Sequence, residues 1–338
     1  MPKPKDCPVT IPLSLLDLVP VRRGGTPGDS LAASVTLAQG AERWGYRRVW
    51  YAEHHNMPVI ASSATSVIIA HVAAHTSSIR LGSGGVMLPN HSPLTIAEQF
   101  GTLEALHPGR IDLGLGRAPG SDQNTMRALR RSAASADRFP DDVLELQGYL
   151  TGQTRIPGVN ATPGNGSNIP LYILGSSMFG ATLAAAFGLP YAFASHFAPE
   201  LLEPAVAAYR REFRPSAQLD RPYVIAGLNV TAADTGAAAA EQFLAVKRSR
   251  VSSMLGRGRT FTDEEADEIL ASPAGQHVQQ MMRYAAVGTP AEVGQYTRDF
   301  AKLADADELM VAHHTSSTEA ALRSAELLAD SLQDVPAA

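Results

Sequence analysis

Residues 48–56 read RVWYAEHHN. A short β-like run, Arg48 to Ala52, delivers Glu53, His54 and His55 at its C-terminal end. Side chains alternate across a strand, so Trp50, Ala52 and His54 share one face and Tyr51, Glu53 and His55 the other. Ionisable groups are costly to bury, and three in a row at a strand end point to chemistry there. In parallel barrels built of alternating strands and helices, that end carries the active site.

The rest of the chain has the matching rhythm. Apolar, β-branched runs at 11–18, 79–87, 111–116, 170–175, 190–195, 222–231 and 307–312 alternate with amphipathic stretches. Helices are predicted from Asp29 or Ser30 to Trp44, from Thr65 to His75 and from Pro93 to Leu106. A long polar connection then precedes a helix from about Pro140 to Leu150. Further helices are expected at 177–187, 199–213, Asp234 to Leu255 and Pro290 to Leu303, with a last one reaching Leu332. Eight strands alternating with helices imply a parallel sheet, and over 338 residues they favour a closed (β/α)8 TIM barrel above an open doubly wound sheet. Residues 256–287 break the rhythm as an insertion before the last β/α unit, read as a lid or a disordered surface loop. No linker divides the chain, so residues 1–338 are expected to form one domain.

Composition narrows the class. Hydrophobic residues are 45% and charged residues 18%, which is globular. The net charge of −5 and the scattered Lys and Arg argue against nucleic acid as the main partner. A single cysteine, Cys7, excludes an intramolecular disulfide and fits a reducing cytoplasm. Its Pro- and Lys-rich surroundings lack the apolar core of a signal peptide, and no apolar run is long enough to cross a bilayer.

Four constellations could carry chemistry. His54 suits proton transfer at neutral pH or a hydrogen bond to a ligand; its ordinary alternative is a structural histidine bonded to a neighbouring loop. A metal site made of His54 and His55 is disfavoured because the two face opposite ways, and no metal is expected. Glu53 reads as a support for the barrel. Gly82-Ser83-Gly84-Gly85 interrupts a β-forming run, for a bulge or for close approach of a flat ligand. Its spacing does not match a dinucleotide fingerprint. Arg117 follows the fourth strand, where a guanidinium clamps phosphate or carboxylate unless it makes a surface ion pair. Leu174-Gly175-Ser176-Ser177 opens a helix, as an anion seat or an ordinary cap. His91, His196 and His313 are candidates without roles.

Together, WYAEHHN at 50–56, GSGGVMLPNHSP at 82–93, LHPGRIDLGLGRAPG at 106–120, YILGSS at 172–177 and GTPAEV at 288–293 resemble the bacterial luciferase-like flavin monooxygenases, over roughly residues 10–330. The resemblance implies reduced FMN at the C-terminal mouth, its ring against a non-proline cis peptide at Gly84–Gly85. His54 matches the family's active-site histidine, and Arg117 an arginine on the FMN phosphate, with Arg138 as a second. Gly175, Ser176 and Ser177 match the phosphate end. Ser176 replaces the carboxylate of true luciferases, Gly180 a threonine and Gly116 a cysteine, which weighs against efficient light emission more than against flavin binding. The implied activity is a two-component monooxygenase. A separate flavin reductase supplies reduced FMN, and O2 forms a flavin peroxide that oxygenates an aldehyde, ketone or similar small substrate. A deazaflavin-dependent dehydrogenase and a non-catalytic flavin-binding subunit are the alternatives. A homodimer is implied too, and the Ala-rich Ala181 to Ala186 face suits either close helix packing between copies or packing on the barrel.

Overall fold

The computed structural model describes residues 11–22, 24–118, 122–256 and 258–333. Cys7, and Pro119 and Gly120 at the end of the GLGRAPG stretch, lie outside them. Among the described residues there are nine parallel strands: β1 (Leu13–Asp17), β2 (Arg48–Tyr51), β3 (Arg80–Met87), β4 (Ile111–Gly116), β5 (Leu171–Gly175), β6 (Tyr191–Phe193), β7 (Val224–Ala232), β8 (Ala285–Gly288) and β9 (Glu308–His313). β1 to β6 pair in sequence, β6 pairs with β7, β7 with β9 and β9 with β1. These eight close into a TIM barrel. β8, unforeseen from the sequence, stays outside the ring. The nine-residue β7 outlasts β6, which covers only Val224 to Ala226, and β8 takes the edge left free at Asn229 to Ala232.

Among the described residues, twelve α-helices accompany the strands: α1 (Pro27–Arg43), α2 (Thr65–Ala73), α3 (Pro93–Leu106), α4 (Gln123–Ala128), α5 (Phe139–Thr151), α6 (Met178–Phe187), α7 (Leu202–Glu212), α8 (Gly236–Leu255), α9 (Asp263–Leu270), α10 (Pro273–Met281), α11 (Pro290–Leu303) and α12 (Thr318–Gln333). α1 starts earlier than predicted, because Asp29 is the partner of a capping box closed by Thr26 rather than the cap itself. The insertion is helical, not a structureless loop. α9 opens on a Thr262–Glu265 capping box and α10 on Ser272 and Pro273. Both pack on α8 through Val251, Ala266, Leu270 and Val278. Each spans little more than two turns, too short to show a helical period in the sequence. In α6, Ala181, Ala184 and Ala185 are fully buried in the main core, so the Ala-rich face packs on the barrel. Among the described residues no helix is long and apolar enough to cross a membrane.

Strand parity sorts the core. Val49 and Tyr51 face the helix layer, while Trp50 joins Tyr172, Ile225 and Met310 inside the barrel. Trp50 and Tyr172 meet edge-on at 4.9 Å. Beneath them, near the N-terminal strand ends, lies a charged floor. Arg48 pairs with Asp112 at 2.7 Å and Glu308 at 2.9 Å, and donates to the Tyr172 hydroxyl at 2.7 Å. Arg80 adds a second guanidinium to Asp112 at 2.5 Å, and the Ser14 hydroxyl donates to Glu308 at 2.5 Å. Removing these charges from water costs several kcal/mol per ion, which the mutual pairing offsets.

Candidate active site

The opposite end of the barrel is built differently. Ala52 to His54 continue past β2, and the His54 N–H donates to the Ser62 carbonyl at 2.9 Å. Glu53 is buried and ties the neighbouring loops together. Its carboxylate accepts from the Met87 N–H at 2.9 Å and contacts His55 at 2.8 Å and His91 at 2.9 Å. Burial alone would raise its pKa; the hydrogen bonds and the charge of His91 outweigh burial and hold it low. Glu53 is thus the support expected, and His91, unassigned from the sequence, is one of its partners.

His54 remains unengaged by this network, its Nδ1 buried without a hydrogen-bond partner among the described residues. Burial lowers its pKa below 6.5, with Glu53 opposing and His55 adding to the shift. At neutral pH it is an uncharged imidazole with a free nitrogen, a group that can accept or pass a proton.

β3 runs beside β2, and its Gly84–Gly85 peptide is cis, where the resemblance puts one. The register to β4 shifts between Ser83 and Val86 at the same place. The neighbouring strands explain the missing side chains. A Cβ on Gly84 would sit 2.8 Å from Trp50 Cβ and 2.9 Å from Leu16, and one on Gly85 would sit 2.8 Å from the Gly114 carbonyl oxygen. Trp50 lies four residues before His54, and Leu174, 3.2 Å from the Cβ position of Gly85, three before Ser177. The chain therefore brings these stretches to one end of the barrel.

Arg117 leaves β4 and lays its guanidinium over the Phe179 ring, 4.2 Å from the centroid, in the first turn of α6. Ser177 is the N-cap of α6, yet its hydroxyl makes no capping bond. A cation, a serine pair and the free N–H groups of a helix start thus converge, which suits an anion. Space is available: a Cβ on Gly175 would meet nothing closer than Gly180 Cα at 3.8 Å. Arg138 is exposed and pairs with the buried Asp142 of α5 at 3.6 Å.

Three polar side chains that carried no role in the sequence line the β6–β7–β9 arc. His196, after β6, packs against β7 so closely that a Cβ on Gly227 would lie 2.3 Å from its Nδ1. Asn229 donates to the His196 and Tyr284 carbonyls at 2.7 and 3.2 Å, which leaves its Oδ1 without a partner. His314 Nε2 and His196 Nδ1 are likewise buried and without a partner among the described residues. Burial, and then the charge of Arg250 on α8, push both imidazoles down to about 3. His313 turns the other way, bonded to Ser324 at 2.8 Å in the helix layer. Strand parity was the available signal: Met310 faces inward, so His314 does and His313 does not.

The profile of the luciferase-like monooxygenase family matches residues 13–307. A luciferase-like monooxygenase of Escherichia coli (strain K12) is 48% identical over 327 residues, covering 95% of this chain and 97% of the relative. The N-acetyl-S-alkylcysteine monooxygenase of Bacillus subtilis (strain 168) is 39% identical over 224 residues, 62% of this chain and 65% of that one. The crystal structure of apo-MsnO8 superposes with a TM-score of 0.87 at 34% identity, covering 97% of this chain and all of that one. The fold recurs at 14% identity and TM-score 0.71 in the oxygenating constituent of 3,6-diketocamphane monooxygenase, solved with FMN. It recurs at 17% and 0.67 in a coenzyme F420 dependent reductase of Methanopyrus kandleri. With a profile that begins at β1 and stops at the threshold of β9, and a relative matched along nearly its whole length, the chain belongs to the luciferase-like monooxygenase family and is an oxidoreductase.

Proposed function

We propose that this chain is the oxygenating component of a two-component monooxygenase that takes reduced FMN from a separate flavin reductase and uses O2 to oxygenate a small organic substrate. The observation that carries this reading is the convergence, at one barrel mouth, of an uncharged His54, the bare Gly84–Gly85 backbone and an anion seat at the start of α6. FMN is an extended ligand with a flat ring and a phosphate dianion, and the mouth offers a complement to each. Arg117, Ser176, Ser177 and the first N–H groups of α6 would hold the phosphate; Gly84 and Gly85 would face the ring. Reduced FMN, when bound, supplies the electrons that activate O2. His54 would hold or pass a proton at Nδ1 beside the ring. The apolar side chains of Trp50, Leu16 and Leu174 would keep water from the ring.

A deazaflavin would use the same ring and phosphate contacts, so cofactor choice is decided by binding. Fluorescence titration should give tighter binding of FMN than of a deazaflavin, and chemically reduced FMN should support substrate-dependent O2 uptake. His54→Ala should keep FMN affinity within about tenfold, ~1.4 kcal/mol, while abolishing turnover. Tighter deazaflavin binding, or unchanged turnover in His54→Ala, would refute the cofactor or the catalytic assignment respectively.

A further inference from the structure

In α6 the residues that pack on the barrel are Gly180, Ala181, Ala184 and Ala185, and Phe179, in the first turn, keeps 37% of its surface exposed. A lone exposed phenyl is ordinary in itself. This one has a specific partner: the guanidinium carbon of Arg117 lies 4.2 Å from the ring centroid. β4 and β5 pair in parallel with Gly116 opposite Leu174. Arg117 therefore leaves one strand beside the bend, Ser176 and Ser177, that opens α6 from the next. Among the described residues Arg117 makes no ion pair and no hydrogen bond. The ring attracts the cation through its quadrupole and uses none of the five N–H donors, so all of them remain for a ligand.

We propose that Phe179 is a positioning residue: its ring holds the Arg117 guanidinium beside the first turn of α6, ready for the phosphate of FMN. This rests on the monooxygenase reading and adds to it the means by which the cofactor's phosphate is recognised. An arginine on an open loop samples many rotamers, and fixing it when a ligand arrives costs conformational entropy. A contact made beforehand meets that cost during folding, so more of the charge-assisted bond appears as affinity. The sign of the effect is diagnostic. A ring that positions Arg117 strengthens FMN binding, whereas a ring that only parks it competes with the phosphate and weakens binding. Riboflavin, with the same ring system and no phosphate, is the internal control.

Titrations of oxidised FMN and of riboflavin, followed by quenching of flavin fluorescence, test this. The wild type should bind FMN at least about tenfold tighter than riboflavin. Phe179→Leu should lose about three- to tenfold in FMN affinity and leave riboflavin within about twofold. Phe179→Tyr, which keeps an aromatic face, should stay within about twofold of the wild type for both flavins. With Arg117→Ala already in place, Phe179→Leu should change FMN affinity by less than about twofold, since the pair acts as a unit. Unchanged or tighter FMN binding in Phe179→Leu overturns the proposal. So does an equal loss for both flavins, or a loss that persists in the Arg117→Ala background; either would make Phe179 a support for the helix or the flavin ring. A wild type that binds both flavins equally removes the proposal and leaves flavin binding intact. A wild type that binds neither removes the FMN reading and the proposal with it.

Discussion

At the closed end of the barrel Arg48 meets Asp112 at 2.7 Å and Glu308 at 2.9 Å; at the open end Arg250 meets no carboxylate among the described residues. Both guanidiniums are withdrawn from water to some degree. The difference lies in what surrounds them. The floor places two carboxylates, two tyrosines and a serine around the Arg48 and Arg80 guanidiniums, and these partners come from different strands or strand flanks. Among the described residues the mouth leaves nitrogens of His54, His196 and His314 and an oxygen of Asn229 without a hydrogen bond, whereas Arg48 Nε, also without one, faces the Glu308 carboxylate at 2.9 Å. A paired network rigidifies the scaffold, and an unpaired one is complementary to something that arrives later.

The contrast can be broken first by mutation at the floor. Arg48→Ala takes from the buried Glu308 its buried cation and from Asp112 one of its two guanidiniums, and should destabilise the protein by ~3–5 kcal/mol, whereas Arg250→Ala, which removes a charge with no carboxylate partner among the described residues, should change stability by less than ~1 kcal/mol. Urea unfolding of the two variants decides it, and comparable losses would erase the distinction between the ends.

The proposed phosphate seat gives the next largest effect. If Arg117 holds the phosphate, Arg117→Ala removes a charge-assisted contact of ~1.5–3 kcal/mol and should weaken FMN binding by about 10- to 100-fold with little change in stability. Fluorescence titration with FMN reads it. Binding unaltered by the substitution would confine Arg117 to its stacking on Phe179.

The smallest effect sharpens the mouth itself. The folded-state pKa of His196, about 3, lies below the unfolded value of 6.5. Between those values the unfolded chain holds the extra proton, so stability falls as the pH drops below 6.5. The slope is at most ~1.4 kcal/mol per pH unit for this group. His196→Gln should flatten the decline in the urea midpoint between pH 7 and 5; the same decline in both proteins would show that His196 charges freely in the fold.

Much of this was legible in the chain. RVWYAEHHN announces a strand that ends in ionisable groups, and its alternation already separates His54 from the Glu53–His55 face. Pro93 and Pro290 mark helix starts at the residues where α3 and α11 begin. The glycines of 82–85 stand out because a strand has no local use for them. The mouth's other arc was not legible. Asn229 sits inside an apolar strand run and Arg250 inside an unremarkable helix, and neither stretch carries a signal beyond its secondary structure. β8 was hidden for a related reason: four residues show no period, and their pairing depends on the edge that β7 leaves uncovered.

Periodicity and punctuation alone determined the alternation of strands and helices, the barrel it implies, and the end of it where chemistry gathers, since these depend on neighbours within a few residues along the chain. Only the tertiary structure decided which charges are matched. Whether Arg48 is neutralised and Arg250 is not depends on residues 64 to 260 positions away in sequence for the one, and on the lack of an acidic neighbour for the other. Pairing of buried charges is a property of distances across the barrel, and those distances exist only once the ring has closed.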